Sequence, residues 1–299
     1  MSDQGIIDRG LGSLLGLAVG DAIGTTLEFS RRDSRPHVAG MEGGGPFRLA
    51  PGEWTDDTSM ALCLADSLLE RGCLDQRDLM ERFVRWWKHG ENSVGCRDIG
   101  VTTSAALQRF LDTDNPVAGS TDPRTAGNGS IMRLAPVALR WQGDAESALG
   151  AAREQSVTTH GAPAAIEGCA LLASILLDGI TSGDKSEALR DRSSSESSID
   201  VVARGSWRTK TREEIRSSGY VVHTLEAALW AVDQSGDFRT AALSAANLGE
   251  DADTVAAVAG QIAGSIWGLS AIPPHWRLQL AWRDKIEGLG RRLLSAGMR

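Results

Sequence analysis

The sequence predicts an all-α fold, a single compact multi-helix domain spanning 1–299. Ala, Leu and Gly dominate, while the chain holds one tyrosine and five phenylalanines. That balance favours packed helices over sheets. Apolar residues recur at helical spacing in one segment after another. No strand series, dinucleotide fingerprint, phosphate loop or fixed-period repeat accompanies them.

The first helix is expected over about residues 6–19. Gly12, Gly16, Gly20 and Gly24 fall every fourth residue, one stripe on a helix surface. Glycine in a helix interior costs roughly 1 kcal/mol against alanine, so the stripe predicts close approach of another backbone. A Gly/Pro-rich loop over 41–51 follows. Further helices are expected over 58–70 (stopped by Gly72), 74–88, 102–111, 131–140 and 145–155. Others are expected over 163–177, 221–231, 238–248, 254–267 and 283–296. The loop over 112–128 is rich in Pro, Gly, Ser and Asp. Residues 181–219, with the serine run 193–198 at their centre, read as a surface excursion because the helical pattern resumes on both sides. The nine tryptophans are scattered and suit gaps between helices or helix ends.

A net charge of −8 argues against broad nucleic-acid or anionic-membrane binding. Cys63, Cys73, Cys96 and Cys169 show no metal or redox spacing, the pattern of a reducing compartment. The first residues lack a basic start and an apolar signal core, and no run is expected to reach the length of a membrane span. The expectation is a cytoplasmic, monomeric protein.

Two acidic clusters carry the chemistry: Thr55-Asp56-Asp57-Thr58 and Asp251-Ala252-Asp253-Thr254. Each stands where an irregular segment meets an apolar helix. Either alone reads as helix capping, since such side chains accept from free N–H groups and complement the dipole. Capping needs one side chain, however, and each helix start carries two acids and a threonine. The surplus carboxylates repel one another unless a cation intervenes. An all-oxygen donor set suits magnesium or manganese, and two such clusters, if the fold joins them, suit a two-metal site. An Asp-Asp pair on helices also suggests terpene-synthase chemistry, but Asp56-Asp57-Thr58-Ser59-Met60 lacks that motif's third acid, and the chain is poor in aromatics.

These residues, taken with others in order, resemble the ADP-ribosylglycohydrolase family, in particular its bacterial dinitrogenase reductase-activating glycohydrolase type. The matching runs are Gly16 to Gly24 with Leu27-Glu28-Phe29, then Trp54 to Met60, then Asp98-Ile99-Gly100 with Thr102-Thr103. They continue through Gly127-Asn128-Gly129-Ser130-Ile131-Met132-Arg133, Thr159-His160, Gly219 to Glu226, and Gly249 to Thr254. The resemblance implies a helical fold with two divalent cations at the base of a cleft. One cation would take Thr55, Asp56, Asp57 and Asp253. The other would take Asp251, Asp253 and Thr254, with Asp253 shared.

By the same resemblance Glu28 serves catalysis or gates entry, and Asp98 moves protons or orients ribose. Gly127, Asn128, Gly129 and Ser130 read locally as a turn with a serine cap, and by resemblance as a diphosphate-binding backbone. Met132 borders the ligand, His160 contacts diphosphate or ribose, and Tyr220 stacks on adenine; His223 is assigned a structural role. The implied activity is metal-dependent hydrolysis of ADP-ribose from a modified acceptor, best an ADP-ribosyl-arginine protein, with ADP-ribose as product. A non-catalytic ADP-ribose-binding relative, or a hydrolase for serine, nucleobase or small-molecule linkages, are the alternatives. Arg97 and Val101 depart from the family's pattern, where Phe and Asn are usual, and bear on the leaving group.

Overall fold

The computed structural model describes residues 3–95 and 98–298, so Cys96 and Arg97 lie outside the described residues. The described residues form helices α1 (Asp3–Gly24), α2 (Asp56–Arg71), α3 (Gln76–His89), α4 (Val101–Thr113), α5 (Ala135–Arg140), α6 (Ala145–Thr159) and α7 (Pro163–Ser182). They continue with α8 (Lys185–Ala188), α9 (Ser197–Ala203), α10 (Val221–Asp233), α11 (Phe238–Ala246), α12 (Ala252–Trp267), α13 (Pro274–Gln279) and α14 (Arg283–Gly297). Among these residues there is no strand, only three isolated bridges. The fold class agrees with the sequence.

The glycine stripe explains the architecture. α1 and α12 run antiparallel along the middle of the molecule. A Cβ on Gly12, Gly16, Gly20 or Gly24 would overlap the backbone at Gly264, Gly260, Ala256 and Ala252 respectively. The reverse also holds, since a Cβ on Gly260 or Gly264 would strike the backbone of Gly16 or Gly12. Small residues every fourth position on both helices therefore let two backbones touch along their length. α7, α10 and α11 pack around α12, and α14 packs along α1. Every residue of α1 from Gly10 to Gly24 is buried.

Several boundaries differ from the sequence reading. Residues 131–133 form a turn, and α5 begins only at Ala135 with Pro136 in its first turn. Ser130 is therefore no helix cap; its buried Oγ lies against Ser156 and Cys169 instead. Residues 181–219, expected as a surface excursion, contain α8 and α9, and Ile199, Val202, Trp207 and Ile215 are buried. The apolar residues of that stretch are too widely spaced to show as a helical period. Two stretches, Asp3–Leu27 and Pro163–Ser182, are long and apolar enough to cross a bilayer, which corrects the expectation that no run reaches that length. Both are mostly buried inside the protein and serve as core helices.

Because α1 and α12 meet backbone to backbone, Gly20→Val has no room to relax. Overpacking of this kind costs about 1–3 kcal/mol, occasionally more, and here we expect at least about 3 kcal/mol. Gly288→Ala in α14, where a Cβ meets open space, is expected to stabilise by up to about 1 kcal/mol. Urea denaturation of both variants checks this; a Gly20→Val protein as stable as the parent would refute backbone contact.

Candidate active site

The antiparallel register places the C-terminal end of α1 beside the N-terminal end of α12. The turn after α1 is then tied to the turn before α12 by two backbone hydrogen bonds, Phe29 N–H to Glu250 O at 2.8 Å and Glu250 N–H to Ser30 O at 2.7 Å. Phe29 (φ 58°) and Glu250 (φ 62°) both adopt the left-handed region to make this pairing, an uncommon conformation for side chains of their size. The sequence-distant acidic clusters thus share one floor.

Capping does not account for the clusters. Thr55 is the N-cap of α2 and Asp251 that of α12, and neither side chain makes a cap hydrogen bond. Acids from the α1 side cap both helices instead. Asp21 Oδ1 accepts from Thr55 N–H and Thr55 Oγ1, both at 2.9 Å. Its Oδ2 accepts from Thr58 N–H at 3.0 Å and Thr58 Oγ1 at 2.7 Å. Glu28 Oε2 accepts from Ala252 N–H at 2.8 Å and Asp253 N–H at 3.4 Å. With the helix ends satisfied from outside, the clusters' own carboxylates turn to one another.

Thr55 Oγ1 lies 3.3 Å from Asp57 Oδ2 and 3.3 Å from Asp253 Oδ2, and Thr254 Oγ1 lies 3.4 Å from Asp57 Oδ2. Two carboxylate triads result, Asp21–Asp57–Asp253 and Glu28–Asp251–Asp253, each offering one oxygen per residue within 4.8 Å of the others. Asp253 belongs to both. Asp57 Oδ1 is buried with no hydrogen-bond partner, an acceptor that calls for a positive charge. Oxygen-only donors, an orphaned carboxylate oxygen and a shared aspartate together fit hard divalent cations.

The electrostatics say the same. Burial, reinforced by the neighbouring acids, pushes the carboxyl groups of Asp56, Asp57 and Asp253 well above the usual range. Glu28 is raised by burial and then by the charges of Asp253 and Asp251. Asp251 and Asp98 are also raised, chiefly by burial. Asp21 is raised to about 6, its four hydrogen bonds offsetting part of the burial. With no cation to neutralise it, the floor would hold on to protons.

Above the floor opens a cleft of about 720 Å³, the size of a small-molecule site. Glu28, Asp56, Asp98, Gly127, Asn128, Gly129, Met132, His160, Asp251, Asp253 and Thr254 line it, as the sequence reading grouped them. Asn128 Nδ2 donates to Asp251 Oδ2 at 2.7 Å and to Thr224 Oγ1 at 2.9 Å, which fixes the second triad to the glycine loop. Thr55 and Asp57 sit beneath, fully or nearly buried. Tyr220 heads α10, half-exposed, edge-on to His223 at 5.1 Å, and His223 Nδ1 meets Ser218 Oγ at 2.7 Å. Two predicted ligand-contacting residues are not in the cleft lining: Ser130, whose hydroxyl meets Ser156, and Tyr220. Val101 is 85% exposed at the mouth and Phe29 69% exposed.

Sequence reading missed Asp21 as a site residue, and also Thr103, Ser218 and Glu250 in the lining. Asp21 left a signal: it is an acid in the stretch Gly10 to Gly24, whose other residues are apolar or small, directly after a stripe glycine. The other three sit in loops or at a helix start, where no period marks them.

A raised carboxyl pKa stabilises the fold below the unfolded value and loses that contribution as pH rises through the folded value. The metal-free protein should therefore weaken as pH rises to about 6, the Asp21 value, and further above it as the more strongly raised Asp56, Asp57 and Asp253 ionise. Added Mn²⁺ or Mg²⁺ should restore it, by about 2.7 kcal/mol at a hundred times Kd. Melting curves from pH 5 to 8.5 test this, and melting indifferent to cations at every pH would sink it. Asp21→Asn, which disturbs the orientation of Thr55 and Thr58, should weaken cation affinity by about 10–100-fold, measurable by titration calorimetry.

Comparison with known proteins agrees with this geometry. The profile of the family described as ADP-ribosylglycohydrolase matches residues 2–299. The ADP-ribosylarginine hydrolase Tri1 of Pseudomonas putida (strain GB-1) is 49% identical, over 99% of this chain and 80% of that protein. The ADP-ribosyl-[dinitrogen reductase] glycohydrolase of Rhodospirillum rubrum is 33% identical, over 94% of this chain and 92% of that protein. A solved structure titled ADP-ribosylglycohydrolase-related protein complex superposes with a TM-score of 0.88 at 41% identity, covering 99% of this chain and all of that one. The higher identity to the arginine hydrolase leaves the dinitrogenase reductase-activating type, expected from the sequence, without specific support. Fold, acidic floor and relatives converge: the chain belongs to the ADP-ribosylglycohydrolase family.

Proposed function

We propose that this protein is a metal-dependent hydrolase that releases ADP-ribose from ADP-ribosyl-arginine on a protein. The observation that carries the reading is the pair of carboxylate triads sharing Asp253 on the floor of a ligand-sized cleft. The relative at 49% identity, named for ADP-ribosylarginine, supports arginine as the acceptor.

In this reading Thr55, Asp56, Asp57 and Asp253 hold one divalent cation, magnesium or manganese. Asp251, Asp253 and Thr254 hold the other. Such cations supply Lewis acidity toward ribose hydroxyls and lower the pKa of a water. The reaction adds water across the glycosidic bond: the C–N bond to the guanidine breaks, a C–O bond forms at the anomeric carbon, and the guanidine leaves with a proton. Glu28 and Asp98, both on the cleft wall and both raised by burial, are the side chains able to carry that proton. The Gly127–Ser130 backbone and His160 face the diphosphate, Met132 borders the ligand, and Tyr220 offers its ring to the adenine.

The test is release of ADP-ribose from ADP-ribosyl-arginine protein with Mn²⁺, with Mg²⁺ and with EDTA. ADP-ribosyl-serine protein and ADP-ribosylated DNA serve as rival substrates. We expect cation-dependent release from arginine. Asp253→Asn is expected to lower kcat by at least about 100-fold, a loss of the size seen when a charge-stabilising group is removed, with the fold retained by circular dichroism. Release from a rival substrate alone would overturn the acceptor and keep the chemistry. ADP-ribose binding without turnover on any linkage would overturn the hydrolase reading.

A further inference from the structure

Arg133 is fully buried, at 0% exposure, and the hydrolysis described above gives it no task. Among the described residues it forms no ion pair. Its Nε donates to Gln155 Oε1 at 2.9 Å, and its Nη2 donates to Gln155 O at 3.0 Å and Thr159 Oγ1 at 2.9 Å. Its guanidinium lies over the Phe83 ring, 4.5 Å from the centroid. A charge buried without a carboxylate is costly unless hydrogen bonds replace its hydration.

Those bonds lead to the cleft by two routes. Thr159 Oγ1, which accepts the arginine's hydrogen bond, is 2.9 Å from His160 Nδ1. Gln155, held by the same arginine, donates from Nε2 to Ser130 O at 3.1 Å, and so braces the glycine loop. Ser156 Oγ spans both routes, 2.9 Å from Ser130 Oγ and 2.9 Å from His160 O.

The proton bookkeeping on Thr159 is decisive. Its oxygen accepts from Arg133, and among the described residues the hydroxyl has no acceptor other than His160 Nδ1. The hydroxyl therefore donates to Nδ1, and a neutral imidazole accepting at Nδ1 carries its hydrogen on Nε2. That nitrogen faces the glycine loop: a Cβ on Gly127 or Gly129 would stand 3.2 Å or 3.1 Å from Nε2. No hydrogen bond within the protein is made at Nε2 among the described residues.

We infer that Arg133, acting through Thr159, is a positioning residue that locks His160 as a neutral Nε2–H donor aimed at an anionic oxygen of the ligand over the Gly127–Gly129 loop. His160 is then a fixed hydrogen-bond donor and takes no part in proton transfer. Burial and the nearby guanidinium agree with this, pulling the His160 pKa down to about 3. Tight glycines at 127 and 129 leave the space that an oxygen needs above the ring. Identifying that oxygen with the diphosphate of ADP-ribose rests on the function proposed above; the tautomer does not.

Nitrogen-15 NMR of the histidine side chains in the full-length protein, without ligand, reads the tautomer directly. We expect one histidine of the Nε2–H form whose signals stay unchanged from pH 5 to 9 and vanish in His160→Gln. Thr159→Val removes the bridge while keeping shape, and should release His160 into a mixture of tautomers. ADP-ribose affinity, by calorimetry with Mn²⁺ present, should fall by about 10-fold in Thr159→Val, the value of one hydrogen bond to a charged group. It should survive better in His160→Gln, whose amide nitrogen reaches the Nε2 position, than in His160→Asn. A His160 that titrates near its ordinary pKa, or carries its hydrogen on Nδ1 in the parent protein, overturns the inference even if Thr159→Val does not fold. If the parent fails to bind ADP-ribose, the ligand assignment falls while the spectrum still decides the tautomer.

Discussion

The direct contact of two helix backbones, α1 against α12, is the constraint from which the rest follows. Gly12, Gly16, Gly20 and Gly24 meet Gly264, Gly260, Ala256 and Ala252 in antiparallel register. A contact of this kind has no slack: one methyl group at any of the four glycines would strike main chain. The register is therefore fixed by sterics, and with it the position of Asp21 and Glu28 opposite Asp253. Side-chain packing alone, with its tolerance of rotamer changes, would leave the floor of the cleft less sharply defined.

That rigidity bears an electrostatic load. Asp21, Glu28, Asp57, Asp251 and Asp253 stand in two overlapping triads within a buried region. Among the described residues, none of these acids is paired with arginine or lysine. The fold supplies N–H groups at two helix starts, and it gives those to Asp21 and Glu28. Of the remaining acids, Asp251 accepts from Asn128 Nδ2 and Asp253 from Thr254 N–H, while Asp57 is left with threonine hydroxyls. Aspartates held this way are pre-positioned for cations, since the strain of assembling them is borne by folding and need not be met at binding.

Much of this was legible in the sequence. The helical class followed from composition and periodicity, and the glycine stripe announced a close backbone contact before its partner was known. The two clusters could be read as surplus to capping, and the structure shows why: the caps come from elsewhere. Asp21 was not legible as a site residue, because its role depends on α2 docking against the end of α1, a long-range fact. Ser130 misled for the opposite reason. A serine before an apolar run resembles a cap, but Pro136 moves the helix start to Ala135 and the hydroxyl turns inward to Ser156. Residues 181–219 misled because a serine-rich stretch with sparse apolar residues carries no period, although Ile199, Val202 and Trp207 anchor it in the core.

The cleft divides into parts with different jobs. Its floor is made of helix ends and is negative. Its glycine-loop wall carries the imidazole of His160, while the Gly127 and Asn128 N–H groups are bonded within the protein to Thr125 O and Gly219 O. An anionic ligand such as a nucleoside diphosphate sugar, approaching a chain of net charge −8, would be repelled by the floor as long as its carboxylates are ionised and uncompensated. Two divalent cations on the floor would cancel most of that charge. In the proposed function they are thus a condition of binding as well as of reaction, and the wall's neutral donors fix orientation without adding a proton that could leave. The rim, where Phe29 and Val101 are exposed, belongs to neither part. In the proposed function an acceptor bound to the ribose would leave the cleft past this rim, so acceptor preference could change there while the floor and wall stay as they are.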